Sequence, residues 1–255
     1  MLTTAEGSTG SDLRVERLTR PSAHPGMELS RWFDPFLPHF IREALGCGGE
    51  ARLVWRGATV VGLLLVDPTE KIASVFSRSP EVAETLRRTS GVDAVYSEHE
   101  LLGPREGFDI FWTRLEGVGA AHRFRHSVRI AAEGELAPVR ELLREVYGGS
   151  NDRWFRGVDP GVETCFVAEL GGRIVGAAWA SIVGRNARLH SLTVRPGFRR
   201  GGLGTDLLFA RLLWAEQAGA REALSEISDL NRPSRVVAER AGMHPVGRIY
   251  LYGKG

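Results

Sequence analysis

At 255 residues, with 43% hydrophobic and 25% charged residues, the chain has the composition of an ordinary soluble protein holding one large core or two smaller ones, and its length favours two. Lys and Arg total 33 against 31 for Asp and Glu, a net charge of +2 that argues against the single-sign field of a nucleic-acid or anionic-membrane binder. Cys47 and Cys165 stand in unrelated segments, so neither a disulfide framework nor a metal site is expected.

The opening MLTTAEGSTGSDLRVERL has no charged-then-apolar leader pattern, and no apolar run approaches the roughly 18 residues of a membrane helix. The expectation is a cytoplasmic protein without membrane or nucleic-acid partners, its oligomeric state open and its first ten residues disordered. The aromatic, proline-broken stretch from Trp32 to Leu45 reads as packing of the first half, or else as a helical wall of a cleft. ARLVWRGATVVGLLLVDPTEKIASVFSRS follows, then a helix over Pro80–Thr89, a short strand at Ala94–Ser97 and the aromatic strand FDIFWTRL. GVGAAH, at Gly117–His122, is the expected joint between residues 1–122 and 123–255.

The second half repeats the order. A helix over Leu136–Tyr147 precedes strands at Cys165–Leu170, Arg173–Val183 and Ala187–Val194, then a helix at Thr205–Ala218, a strand at Ala223–Ser228 and the final GRIYLY. Ile174-Val175-Gly176 falls where Val60-Val61-Gly62 falls earlier, so two similar α/β folds in tandem are predicted. Trp154 and Phe155 are candidates to line an acceptor site, or core; His24, His39, His99, His122, His126 and His244 show no ligand spacing and read as surface or structural groups.

Between the third strand and second helix of the later half stands VRPGFRRGGLGTDLL. A strand, a glycine-rich turn and a helix N-terminus in succession aim several backbone N–H groups at one point, where the helix dipole also favours an anion. Gly201, Gly202 and Gly204 keep side chains out of the way, Arg199 and Arg200 add charged donors, and Thr205 adds a hydroxyl. Neither G-x-x-x-x-G-K-[ST] nor G-x-G-x-x-G is present, so a nucleotide loop of either kind is excluded.

This segment resembles motif A of the GNAT (Gcn5-related N-acetyltransferase) superfamily, Q/R-x-x-G-x-G/A, through Arg199, Gly202 and Gly204. NRPSRVVAERAGM resembles motif B, with Asn231, Glu239, Gly242 and Met243 in place. The resemblance spans about residues 123 to 255 and implies a mixed, mostly antiparallel sheet flanked by helices. It also implies acetyl-CoA as donor and direct attack on the thioester by a primary amine of a small molecule or peptide. Leu192, Thr193 and Val194 inherit contacts to pantetheine, and Leu203, Thr205 and the glycines and arginines around them inherit the pyrophosphate. Asn231 and Ser234 complete the inherited cofactor set, and the Val194 N–H is the candidate to steady the thioester oxygen. The first half has SRSPEVAETLRR where a phosphate loop belongs, so it is expected to be a degenerate fold that binds no cofactor.

An amine arrives protonated, so a base is needed, and a histidine's ordinary pKa near 6.5 suits that task. RLHSLTV is similar to the arylalkylamine acetyltransferase branch, which points to His190; uninterrupted alternation would set it on one strand face with Leu192 and Val194. Glu226, five residues before Asn231, matches the glutamate base of the ribosomal-protein N-terminal acetyltransferase branch. The tyrosine that in this family protonates the leaving thiolate is replaced by Ala238, leaving Tyr250, Tyr252, water or no acid at all. Two readings follow: an N-acetyltransferase, favoured by His190 with Glu226, or a protein that holds an acyl-CoA without turnover, favoured by Ala238.

Overall fold

The computed structural model describes residues 13–19, 28–46, 48–69, 71–103, 105–118, 122–148 and 163–253. The expectations for the first ten residues and for His24, Cys47, Trp154 and Phe155 fall outside that set. Two compact units form, one of Met1–Phe108 with Arg248–Gly255 and one of Asp109–Gly247.

In the first unit β1 (Leu13–Leu18), β2 (Glu50–Arg56), β3 (Thr59–Asp67) and β4 (Ile72–Ser77) are successive antiparallel neighbours, and β5 (Ala94–Ser97) lies parallel to β4. Helix α1 (Leu37–Gly46) joins β1 to β2 in the chain, and α2 (Pro80–Thr89) joins β4 to β5. Phe33, Phe36, Leu37 and Ile41 are buried, and the Phe40 ring stacks on Phe76 at 5.8 Å, so the aromatic stretch is core packing.

The second unit repeats this plan with β7 (Val128–Ile130), α3 (Leu136–Tyr147), β8 (Glu163–Leu170), β9 (Arg173–Val183), β10 (Asn186–Val194), α4 (Leu203–Gln217) and β11 (Glu222–Ser228). Strands β7 to β10 are antiparallel neighbours, and β11 is parallel to β10. Helix α5 (Arg232–Arg240) follows β11. Each unit is therefore a mixed, mostly antiparallel sheet with flanking helices.

The echoed glycines do the same work in both units. A Cβ on Gly62 would meet Val82 and Leu86 of α2 at 3.0 and 3.1 Å, and one on Gly176 would meet Leu207 of α4 at 2.9 Å. A larger residue at either position would have to push these helix side chains back from the strand. Just beyond each glycine the register slips in the same way: Val54 faces Gly62 but Trp55 faces Val60, and Ala168 faces Gly176 but Glu169 faces Ile174.

The division of the chain differs from the joint expected at Gly117–His122. It falls inside β6 (Arg105–Arg114), between Phe108 and Asp109, and inside β12 (His244–Gly253), between Gly247 and Arg248. Residues Tyr250 to Gly253 of β12 pair with β5 in the first unit, and β6 neighbours β11 in the second. Glycine and alanine at 117–122 are a signal read from neighbouring residues alone, whereas the compact units are decided by sheet pairing at long range. Among the described residues no helix is long and apolar enough to cross a membrane.

Candidate active site

Strands β10 and β11 pair only through Asn186–Glu222, Ala187–Ala223 and Arg188–Leu224, although they continue to Val194 and Ser228. Beyond Arg188 the ladder stops, and the two strands diverge. On its other side β10 carries a bulge: His190 faces Trp179 but Thr193 faces Ala177, one residue out of step, and Ser191 has φ +53. The first unit has no such irregularity between β3 and β4, where pairing is regular from Gly62–Ser77 to Asp67–Ile72.

The bulge corrects the expected face of His190. Leu189 and Val194 belong to the core packed with α4, whereas Trp179 and Ala177, opposite His190 and Thr193, belong to the cluster under α3. His190 and Val194 are therefore on opposite faces, because one extra residue inverts the alternation. Leu192 leans toward α4, 3.7 Å from where a Cβ on Gly204 would lie. The Thr193 hydroxyl donates to the Tyr147 hydroxyl at 3.0 Å, bringing the end of α3 to the bulge.

Arg211 of α4, which the sequence motifs do not single out, secures this irregular strand. It is 2% exposed, and its guanidinium donates to the carbonyls of Trp179 at 3.1 Å, His190 at 3.2 Å and Leu207 at 3.2 Å. A bulge leaves main-chain carbonyls without ladder partners, and a buried fork of donors satisfies them. Burial alone pushes the Arg211 pKa down, to about 9.

At the end of β10 the chain turns through Pro196–Phe198 into the glycine loop. Arg200 and Gly202 both take left-handed conformations, at φ +67 and +99, and α4 begins at Leu203, two residues earlier than expected. No side chain caps α4, and Arg199, Arg200 and Gly201, which lead into its first turn, are exposed. A Cβ on Gly201 would have no protein atom closer than 3.9 Å, and one on Gly204 none closer than 3.7 Å. Protein packing does not require glycine at either position, in contrast to Gly176, so the space fits a bound phosphate group rather than a neighbouring side chain. Arg199 donates through Nε to the Val194 carbonyl at 2.9 Å, tying the loop to the strand end.

The equivalent helix in the first unit is closed. Ser79 caps α2 by accepting from the Val82 N–H at 3.4 Å, Pro80 has no N–H to offer, and the Ser77 hydroxyl bonds the Val61 carbonyl at 3.0 Å.

A polar cluster stands on the face of β8, β10 and β11 that carries Trp179. His190 Nε2 lies 3.1 Å from Glu163 Oε1, and His190 Nδ1 lies 3.1 Å from the Ser191 hydroxyl. The Arg188 Nε donates to Glu226 Oε1 at 2.9 Å. His190, Glu163 and Glu226 side chains are 12%, 7% and 11% exposed, so these interactions stand in little solvent. His190 and Glu226 do fall on neighbouring diverging strands, but each is held by another partner. Glu163 lies outside every motif, and Ser191, inside RLHSLTV, has no role assigned by it; only the sheet register brings both to His190. Matching the units through Gly62 and Gly176 puts Gly49, Ile72, Ser74 and Tyr96 where Glu163, Arg188, His190 and Glu226 stand, so the first unit has no counterpart of the cluster.

The remaining candidates divide clearly. Asn231 caps α5, accepting from the Ser234 N–H at 3.3 Å, and Ala238 is buried in the core of the second unit. Tyr250 and Tyr252 belong to the first unit: Tyr250 packs against its core under the guanidinium of Arg105, and Tyr252 is buried, its hydroxyl bonding the His99 carbonyl at 2.9 Å. Pairing with β5 draws both tyrosines into that sheet, which motif spacing does not register. His122 and His126 are structural, both bonded to the buried Asp206 of α4, at 2.9 and 2.7 Å. Among the described residues no group of three or more metal-ligating side chains converges.

Residues 134–243 match the acetyltransferase (GNAT) family, so this stretch, wholly inside the second unit, is a GNAT acetyltransferase domain. A GCN5-related N-acetyltransferase from Sphaerobacter thermophilus is similar in fold at a TM-score of 0.60 and 17% identity, covering 80% of each chain. A tandem GNAT protein from the clavulanic acid biosynthesis pathway is similar at a TM-score of 0.56 and 19% identity, covering 84% of this chain and 88% of its own. A Drosophila protein of solved structure aligns at a TM-score of 0.62 and 13% identity, covering 89% of this chain and 92% of its own. At such identities the likeness is one of fold, and it extends over both units. No curated protein matches the sequence.

Proposed function

We propose that the second unit transfers an acetyl group from acetyl-CoA to a primary amine of a small molecule or peptide, and that the first unit binds no cofactor. One contrast supports this most. The diverging strands, the bulge, the uncapped glycine loop and the polar cluster occur together in one unit, while the equivalent positions of the other are regular, capped and without a charged side chain. Bound there, acetyl-CoA supplies an activated acyl carbon. The N–H groups of Gly201 to Thr205 and the guanidinium of Arg200 hold its pyrophosphate, and Asn231 and Ser234 are further contacts carried over from the family motif. The unpaired edge of β10, from Leu192 to Val194, aligns the pantetheine, and the Val194 N–H faces the carbonyl oxygen as charge develops on it. His190 takes the amine's proton, with Glu226 the other candidate base.

The assay is thiol release from acetyl-CoA with a panel of amines, amino acids, polyamines, aminoglycosides and peptide N-termini. We expect turnover with at least one class, and a loss of about 10²–10⁴ in kcat for His190→Gln or Glu226→Gln, whichever is the base, with CoA affinity nearly unchanged. Full turnover in both variants would move the base elsewhere. The buried Ala238 favours the second reading, an acyl-CoA-holding protein without turnover; binding of CoA with no release to any amine would establish it.

A further inference from the structure

We propose that Ser191, His190 and Glu163 form a proton relay in which the Ser191 hydroxyl, not the imidazole, meets the incoming amine. The inference rests on the acetyl-transfer reading above and names the groups that carry its proton.

The geometry follows from the bulge. In an unbroken strand, neighbouring side chains project to opposite faces, so residue 191 would point away from residue 190. Here Ser191 takes φ +53, and its hydroxyl lies 3.1 Å from His190 Nδ1. A non-glycine residue in the left-handed region is uncommon, and at this position it joins a short polar side chain to a ring nitrogen. On the other side of the ring, Nε2 is 3.1 Å from the Glu163 carboxylate. A carboxylate only accepts, so the neutral imidazole carries its hydrogen on Nε2 and keeps a lone pair on Nδ1, toward Ser191. Both ring nitrogens are thereby engaged on a side chain 12% exposed, and Ser191, itself partly exposed, is the member of the chain left to meet an amine. A group of a nucleophile-type hydroxyl, a base and an orienting carboxylate is known by its geometry rather than by residue order. The first unit has neither the bulge nor an equivalent of Glu163.

The acceptor ammonium gives one proton to Ser191 Oγ while Ser191 gives its own to His190 Nδ1, leaving a neutral amine and an imidazolium opposite the Glu163 carboxylate. The amine nitrogen then bonds the thioester carbonyl carbon, and the carbon–sulfur bond breaks with its electron pair going to sulfur. The nitrogen's second proton neutralises the thiolate, and the imidazolium releases the first to solvent. Ser191 is the catalytic group of this relay, and Glu163 is a positioning residue.

The test pairs nitrogen-15 NMR of the His190 ring in the full chain, without acceptor, with kcat and its pH profile on the best amine. Ser191→Gly suits φ +53, so the backbone is kept. It should retain CoA affinity and the protonated Nε2 tautomer while losing about 10²-fold in kcat. Glu163→Gln, whose amide can donate as well as accept, should let the ring populate both tautomers and lower kcat. A parent tautomer protonated on Nδ1, or undiminished kcat in Ser191→Gly, would overturn the relay while leaving acetyl transfer intact. Acetyl on Ser191, detected by mass spectrometry after incubation with acetyl-CoA alone, would replace the relay with a serine nucleophile. No thiol release with any amine would sink the acetyl-transfer reading and the relay together.

Discussion

At Gly204 the nearest protein atom to an added Cβ is Leu192 Cδ2, 3.7 Å away, and the residue sits in the first turn of α4. Alanine fits there without disturbing the protein and favours the helix by up to about 1 kcal/mol. Gly204→Ala should therefore keep or raise the unfolding free energy while weakening CoA binding at least about tenfold, since the added methyl occupies space assigned to the ligand. Calorimetric titration beside chemical denaturation separates the two effects, and unaltered CoA affinity would contradict the assigned cradle. A second residue predicts a pH dependence. Glu98 of the first unit is pushed up to about 7 chiefly by burial, though Ser30 donates to it at 2.8 Å; Asp34, also raised by burial, adds repulsion. A carboxyl with a folded pKa above its unfolded value near 4.5 stabilises most below that value, and the advantage is lost as pH rises from about 4.5 to 7. Glu98→Gln should remove most of that loss, on the order of 2 kcal/mol between pH 5 and 8, measured by denaturation at both pH values.

Among the elements, β9 and α4 approach most closely at Gly176, where a Cβ would lie 2.9 Å from Leu207 Cδ1. Gly176→Ala should cost about 1–3 kcal/mol, the opposite outcome to Gly204→Ala, because here the neighbour is a packed side chain. Thermal unfolding decides it, and an undiminished midpoint would show that Leu207 can move aside. The elements themselves were largely legible: Arg173–Val183, Pro80–Thr89 and Leu136–Tyr147 form as expected, because periodicity and turn residues are local signals. The bulge at Ser191 was not legible. RLHSLTV reads as simple alternation, and the extra residue appears only against the register of β9. Glu163 was missed for the same reason, since it reaches His190 from β8, across the intervening β9.

For the whole molecule, the last strand is where chain order and compact units part. Tyr252 is 1% exposed in the core of the first unit, donating to the His99 carbonyl and accepting from the Leu101 N–H at 2.6 Å. Tyr252→Phe leaves that buried N–H unsatisfied and should destabilise the first unit by about 1–3 kcal/mol. Removing residues 248–255 should do more, taking the partner of β5 with it. Hydrogen exchange in the full chain should show lost protection in β4 and β5; unchanged protection would mean that the first unit closes without its final strand.

The sequence alone determined the tandem order of elements, the glycine-rich turn at Arg199–Thr205 and the family of the second half, because each depends on residues adjacent in the chain and on local backbone preference. The tertiary structure decided which side chains meet. It inverted the face of His190, gave that residue Glu163 and Ser191 as partners, paired Glu226 with Arg188, and drew Tyr250 and Tyr252 into the first unit. These outcomes depend on strand register and on pairings between residues far apart in the chain, where a shift of one residue reverses every side chain that follows.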